Sequence, residues 1–248
     1  MNNVYLYNGD FLYLLSLIKY LYNFKIKPDN IKDNSFSPSL FDNIINLNIV
    51  VDDNIVDSFI NSIGANNFKI IFYTFLSNNI NKELIIYYFY LNALKYKDNI
   101  IYMRNLKCVS ESLKIAKYVK HEAHKYKGFV RFKELENNVL YAEIEPTNDV
   151  LYIISKHFEL RLKNEYWIIK DIKRNKLSVY DKNKFFIISG DNFKLFNNNL
   201  SEEELDIEKL WKEFYKTIGI ETRKNDRCRM NFMPKKYWKY IIEVSDKF

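Results

Sequence analysis

The chain has 248 residues, 48% of them hydrophobic and 17% aromatic, with 38 Lys+Arg against 31 Asp+Glu and a formal charge of +7. That length buries a good core as one large domain or two small ones. The start Met1-Asn2-Asn3-Val4-Tyr5 lacks a basic segment followed by an apolar one, and the longest apolar runs, 70–76 and 84–94, are too short or too interrupted to span a bilayer. The expectation is a cytoplasmic protein with no membrane contact. Two cysteines, Cys108 and Cys228, exclude a multi-cysteine zinc module and a three-cysteine iron–sulfur site within this chain, so no cofactor of its own is expected. The abundance of Asn, Ile, Lys, Tyr and Phe beside 5 Gly and 4 Pro fits AT-rich coding, which lowers the weight of any single Tyr or Lys.

In chain order, residues 4–7 read as a short strand and Asn8-Gly9 as a turn. Asp10 caps a helix to about Phe24, with Phe11, Leu14, Leu15, Ile18, Leu21 and Tyr22 on its inner stripe. Residues 25–47 are loop-like, with a strand near 47–51. Helices follow, one from Asp52 or Asp53 to Gly64, one over 68–76 and one over 81–97. A helix over 110–126 leads to Gly128, placed where a helix end takes a positive φ. Two strands, 129–135 and 139–145, then meet at Asn137-Asn138. A helix over 149–162, capped by Asn148 or Asp149, precedes strands at 166–172, 176–180 and 184–188. Ser201 opens a long helix in a capping box with Glu204. Residues 223–231 read as a basic loop, and Pro234 starts a closing helix.

The order strand, strand, helix, strand, strand, strand predicts an α+β fold: a helical N-terminal part, then an antiparallel sheet with flanking C-terminal helices. Charge divides the chain near residue 100. Residues 1–100 hold 8 Lys+Arg against 9 Asp+Glu, and 101–248 hold 30 against 22. The expected parts are 1–100, helical and near-neutral, and 101–248, basic and α+β. The second is where a polyanion would be met.

A two-residue turn at Asn137-Asn138 sets Glu136 against Val139, Glu134 against Tyr141 and Phe132 against Glu143. One face then holds Arg131 and Lys133 among apolar side chains, and the other holds Glu134, Glu143 and Glu145 among aromatics. This fits a half-buried sheet with a solvated rim, or a site reached by Arg131, Glu134 and Glu143. His121 and His124 stand at i and i+3, one residue short of the His-Glu-x-x-His zinc spacing, and no metal site is assigned. His157 and Arg161 share a helical face. His157 or His124 with Asp171, and Glu143 beside them, would suit acid–base work on a phosphorylated or nucleic-acid substrate. The same residues would also make a buried polar network that fixes the fold. Cations and aromatics alternate from Arg223-Lys224 to Lys235-Lys236-Tyr237-Trp238, as phosphate contact with base stacking would use them, or as a solvated tail with inward rings.

The run 124–132 (His-Lys-Tyr-Lys-Gly-Phe-Val-Arg-Phe), Glu145-Pro146, His157-Phe158 with Arg161, the run 167–171 (Trp-Ile-Ile-Lys-Asp) with Arg174, Trp211, Arg223-Lys224-Asn225 and the run 233–238 (Met-Pro-Lys-Lys-Tyr-Trp) resemble an uncharacterised bacterial family described as "probable DNA metabolism protein". The likeness runs from about residue 110 to the C-terminus and is weaker earlier, at 7–11. Members similar to this chain are typically encoded beside a putative DNA-repair radical SAM protein. In other bacteria a similar domain is joined to a uracil-DNA-glycosylase-like domain. The resemblance implies work on DNA with a radical SAM partner, which would supply any iron–sulfur or SAM chemistry.

Three functions follow as expectations. In the first, an accessory protein binds DNA through phosphate contacts from Arg131, Arg161, Arg174, Arg223 and Lys224, with Tyr237 or Trp238 stacking on a base. In the second, a hydrolase acts on DNA or damaged bases through His124, His157, Asp171 and Glu143. In the third, an adaptor binds only protein.

Overall fold

The structure is a computed structural model and describes residues 2–191, 199–223 and 225–245. The chain forms two compact units, Met1–His121 and Glu122–Phe248. Among the described residues no helix is long and apolar enough to cross a membrane.

In the first unit, strand β1 (Asn2–Tyr7) leads through Gly9 at φ +84° into helix α1 (Phe11–Asn23). The Asp10 carboxylate accepts from the Leu12 and Tyr13 amides at 2.8 and 3.1 Å, the expected cap. Leu14, Leu15, Leu17, Ile18 and Leu21 are fully buried, whereas Tyr22 lies outside the stripe predicted for it. The segment read as loop contains strands β2 (Asn30–Asp33) and β3 (Asp42–Asn46), so the strand expected at 47–51 is displaced. Both pair parallel to β1, in the order β2-β1-β3. Such strands carry little local signal, because parallel partners are joined across a connection rather than a turn.

Helices α2 (Ile55–Ile63), α3 (Ala65–Phe75) and α4 (Lys82–Tyr96) follow, then a 3-10 segment Lys97–Tyr102 and helix α5 (Lys107–Phe129). Phe59, Ile71, Ile86 and Phe89 join the α1 stripe in one core. Gly64 separates α2 from α3 at φ 87°, ψ 150°, a region open essentially to glycine, and a Cβ there would meet the Asp98 carboxylate at 3.2 Å. Gly64→Ala is expected to cost about 1–3 kcal/mol. Thermal unfolding within error of the parent would show that the turn relaxes freely.

In the second unit, strands β4 (Lys133–Glu134), β5 (Val139–Ile144), β6 (Tyr166–Asp171), β7 (Lys176–Tyr180) and β8 (Phe185–Ser189) form one sheet in chain order. Helix α6 (Leu151–Arg161) lies between β5 and β6. After the sheet come α7 (Glu202–Ile218), α8 (Asp226–Phe232), a 3-10 segment Lys235–Tyr240 and α9 (Ile242–Ser245). The class is α+β, with the predicted element order.

Three details differ from expectation. First, the sheet is mixed. β5 pairs parallel with β6, because the helical crossover through α6 returns the chain in the same direction, while the other pairs are antiparallel. Second, the first hairpin is shifted by one residue. Glu134 faces Leu140 and Lys133 faces Tyr141, and Asn138 at φ 57° closes a turn in which the Leu135 amide bonds the Val139 carbonyl at 3.0 Å. A loop of three residues replaces the assumed two, and a one-residue slip exchanges the faces. Third, α5 continues through Gly128, which has no positive φ, and the Val130 amide still bonds the Tyr126 carbonyl at 2.9 Å. Residues 223–231, read as a loop, hold most of α8.

Candidate functional site

The connection 146–149 between β5 and α6 is clasped from both sides. From α5, the buried Glu122 carboxylate accepts from the Thr147 amide at 3.0 Å, the Asn148 amide at 2.8 Å, the Asn148 side chain at 2.6 Å and Lys236 Nζ at 2.6 Å. From the turn after β6, Arg174 donates to the Pro146 and Thr147 carbonyls at 3.1 and 2.6 Å and to Asp171 at 3.0 Å. Asp149 binds Lys176 at 2.7 Å. Neither Asn148 nor Asp149 caps α6: Val150 stands at its start, and both predicted caps are drawn into this network. Buried amides and carbonyls of an irregular loop need partners, and the clasp supplies them from charged side chains.

The clasp fixes where α6 begins, and the aromatic core beneath fixes its rotation. Phe158 is buried against Phe132 at 4.9 Å between ring centroids, and Trp167, fully buried, stacks on Tyr180 at 5.0 Å. With Phe158 inward, His157 lies at the rim and Arg161, one turn on, is exposed. The charged groups acting on His157 are Lys127, in the last turn of α5, and Arg161. Burial, then these two cations, hold its imidazole below the ordinary histidine range. Its Nε2 is buried with no hydrogen-bond partner among the described residues. The result is a cationic cluster from two helices with no carboxylate among the groups that shift it. Lys127 was no candidate site residue in the sequence; that it acts on His157 shows only once α5 and α6 are packed together.

At the next residue a groove of about 260 Å³ opens, lined by Gly128, Phe129, Arg131, Trp211, Met233 and Glu243, among others. Trp211 donates from its indole nitrogen to Glu243. Arg131 bonds Glu204 at 2.6 Å, and the Glu204 carboxylate also takes the Glu134 amide at 3.3 Å. Glu204 thus serves Arg131 and the hairpin, while Ser201 caps α7 through the Glu204 amide at 3.1 Å.

The other expected site residues are dispersed. His124 is exposed on α5. Asp171, 0% exposed, has both carboxylate oxygens on Arg174. Glu143 accepts from Tyr141 at 2.8 Å, and burial followed by Glu143 pushes that phenol upward. Tyr237 is buried between Tyr126 and Phe129 at centroid distances of 5.0 and 5.1 Å. Trp238 is buried, with Arg229 over its ring at 4.2 Å and its nitrogen on the Met233 carbonyl at 2.8 Å. As folded, these two rings offer no open face to a base. Arg223 is exposed, and Lys224 lies outside the described residues. Among the described residues, no three His, Cys, Asp or Glu side chains gather as metal ligands.

The family model of a domain of unknown function, DUF4130, matches residues 80–243. The chain belongs to this family. No curated protein and no solved structure matches it. The DUF4130 region contains the clasp, the Lys127–His157–Arg161 cluster and the groove, and begins beyond the parallel sheet of the first unit.

Proposed function

We propose that this protein is a DNA-binding accessory factor, seating backbone phosphate on Lys127, His157 and Arg161 and working with a radical SAM partner. The observation that supports the reading is the division of its cations. Arg131, Arg174, Lys176 and Lys236 are each paired with a carboxylate. The cations around His157 carry no such pair among the described residues. An unneutralised group of forked and point-charge donors on rigid helices suits phosphate oxygens. Net charge alone is a weaker argument. The units carry 13 Lys+Arg against 10 Asp+Glu and 25 against 21, so the asymmetry about residue 100 is not one between units. The hydrolase reading needs a carboxylate beside His157, whose charged neighbours are cations.

The test is fluorescence anisotropy with labelled single-stranded, double-stranded and uracil-containing DNA over a salt series. Binding should weaken steeply with salt. Lys127→Ala with Arg161→Ala should lower the salt slope by roughly 2, about one for each phosphate no longer neutralised. Lys156→Ala, which removes a lysine already paired with Glu159, should change nothing. Bound phosphate favours the imidazolium, so affinity should fall as pH rises through the His157 titration, and His157→Gln should remove that dependence. An unchanged slope in the double variant overturns the assignment. No binding at low salt removes DNA contact and leaves the protein adaptor.

A further inference from the structure

The groove that opens after Lys127 is built for a flat ring. Trp211, 45% exposed, stands on it with its indole nitrogen held by Glu243. Phe129 lines it too, fixed against Tyr237 at 5.1 Å between centroids. Both rings are set before a ligand arrives, which lowers the ordering cost of binding. Met233 adds a polarisable side chain that packs well against aromatic rings. Polar groups are few. Arg131, held by Glu204 at 2.6 Å with its side chain 34% exposed, brings donors, and Glu243 brings a carboxylate acceptor. A volume of about 260 Å³ falls just below the roughly 300–1,000 Å³ of drug-sized pockets, so the space suits one ring system.

Gly128 points the same way. The chain has 5 Gly, and this one lies in the last turn of α5, where glycine weakens a helix. It has no positive φ to require glycine, and a Cβ there would meet nothing within 4 Å. Neither the backbone nor the packing among the described residues explains it. A ligand lying against the helix does, since a side chain at 128 would stand in the groove. We infer that the groove takes one nucleobase, turned out of the stack of a DNA strand whose phosphate sits on Lys127, His157 and Arg161. The inference rests on the DNA-binding reading and adds the base to it. Lys127 and Gly128 are consecutive on α5, about 3.8 Å apart at Cα, so the phosphate and base of one nucleotide reach both. Trp211 takes the stacking role expected of Tyr237 or Trp238, both of which are buried.

Two labelled single-stranded oligonucleotides of equal length and charge test this by fluorescence anisotropy of the full chain. One is abasic throughout, and the other is abasic except for a single central thymine. The thymine strand should bind about 10-fold tighter, with the same salt slope, because the difference is one stacked base and no phosphate. Trp211→Ala removes the platform, and Gly128→Leu fills the groove with a side chain that suits a helix. Each should bring the thymine strand to the affinity of the abasic one. Neither should change abasic binding, which also shows that each variant folds. Lys127→Ala with Arg161→Ala should weaken both strands and lower both salt slopes. Salt-dependent binding that is equal for the two strands overturns the base site and leaves phosphate contact standing. So does a thymine preference that survives Trp211→Ala or Gly128→Leu. No binding of either strand at low salt overturns both readings and leaves the groove to a side chain of a protein partner.

Discussion

Arg174→Ala is expected to cost about 3–5 kcal/mol of unfolding free energy, the usual penalty for breaking a buried ion pair from one side. Asp171 is fully buried, and Arg174 is the cation paired with it. The substitution strands that carboxylate and removes the donors to the Pro146 and Thr147 carbonyls. Against a typical stability of about 5–15 kcal/mol, this is a large share of the whole. Arg174→Lys should recover only part, since one ammonium on a flexible stem does not reproduce a planar fork that meets three acceptors. Arg174→Leu combined with Asp171→Leu should recover more than Arg174→Leu alone, because much of the penalty is the orphaned charge. Urea denaturation followed by tryptophan fluorescence measures all of these. A loss under about 1 kcal/mol for the alanine variant would mean that water replaces the guanidinium and the clasp is not structural.

Glu122→Gln should destabilise the protein by about 3 kcal/mol at neutral pH, and the gap should close in acid. Burial pushes the Glu122 carboxyl up. Lys236 and the amides of Asn148 and Thr147 outweigh it and hold the group below its ordinary value of 4.5. Lys236 is correspondingly held above its ordinary range, with burial opposing and Glu122 prevailing. A carboxylate with a depressed folded pKa contributes stability above its unfolded pKa and loses it as pH falls through the folded one. The parent should therefore lose stability below about pH 4.5 more steeply than the Gln variant, which has no proton to take up there. Parallel stability curves for the two proteins from neutral pH to about pH 3 would refute this account of the network.

Local chemistry was legible in the sequence. Asp10 at the head of α1, Ser201 at the head of α7, and the apolar runs that became β6 and β7 each act through neighbours within a few residues. Helix α1 shows how far this reaches: spacing places Leu14, Leu15, Ile18 and Leu21 inside, because a helix of fixed period has one inner face. The same logic is ambiguous for a hairpin, where loops of two and three residues differ by one position and every side chain changes face with the choice. Asn138 at φ 57° settles it toward three, and Arg131 then meets Glu204 of α7 rather than a site on the sheet.

Partners distant along the chain were decided by tertiary structure alone. Asp171 is three residues from Arg174, but nothing local shows that the same guanidinium also reaches the Pro146 and Thr147 carbonyls while Arg161 stays exposed. Nor does alternation of lysines and aromatics reveal that Tyr237 and Trp238 turn inward while Trp211 and Phe214 face solvent. The amino-acid sequence by itself determined most helices, most strands and the α+β class. Which cations are neutralised, which rings are covered, and that β5 and β6 run parallel were decided by the tertiary structure. The reason is physical: capping and periodicity are short-range, whereas ion pairing and burial depend on groups brought together from far along the chain, Glu122 to Lys236 being the clearest case.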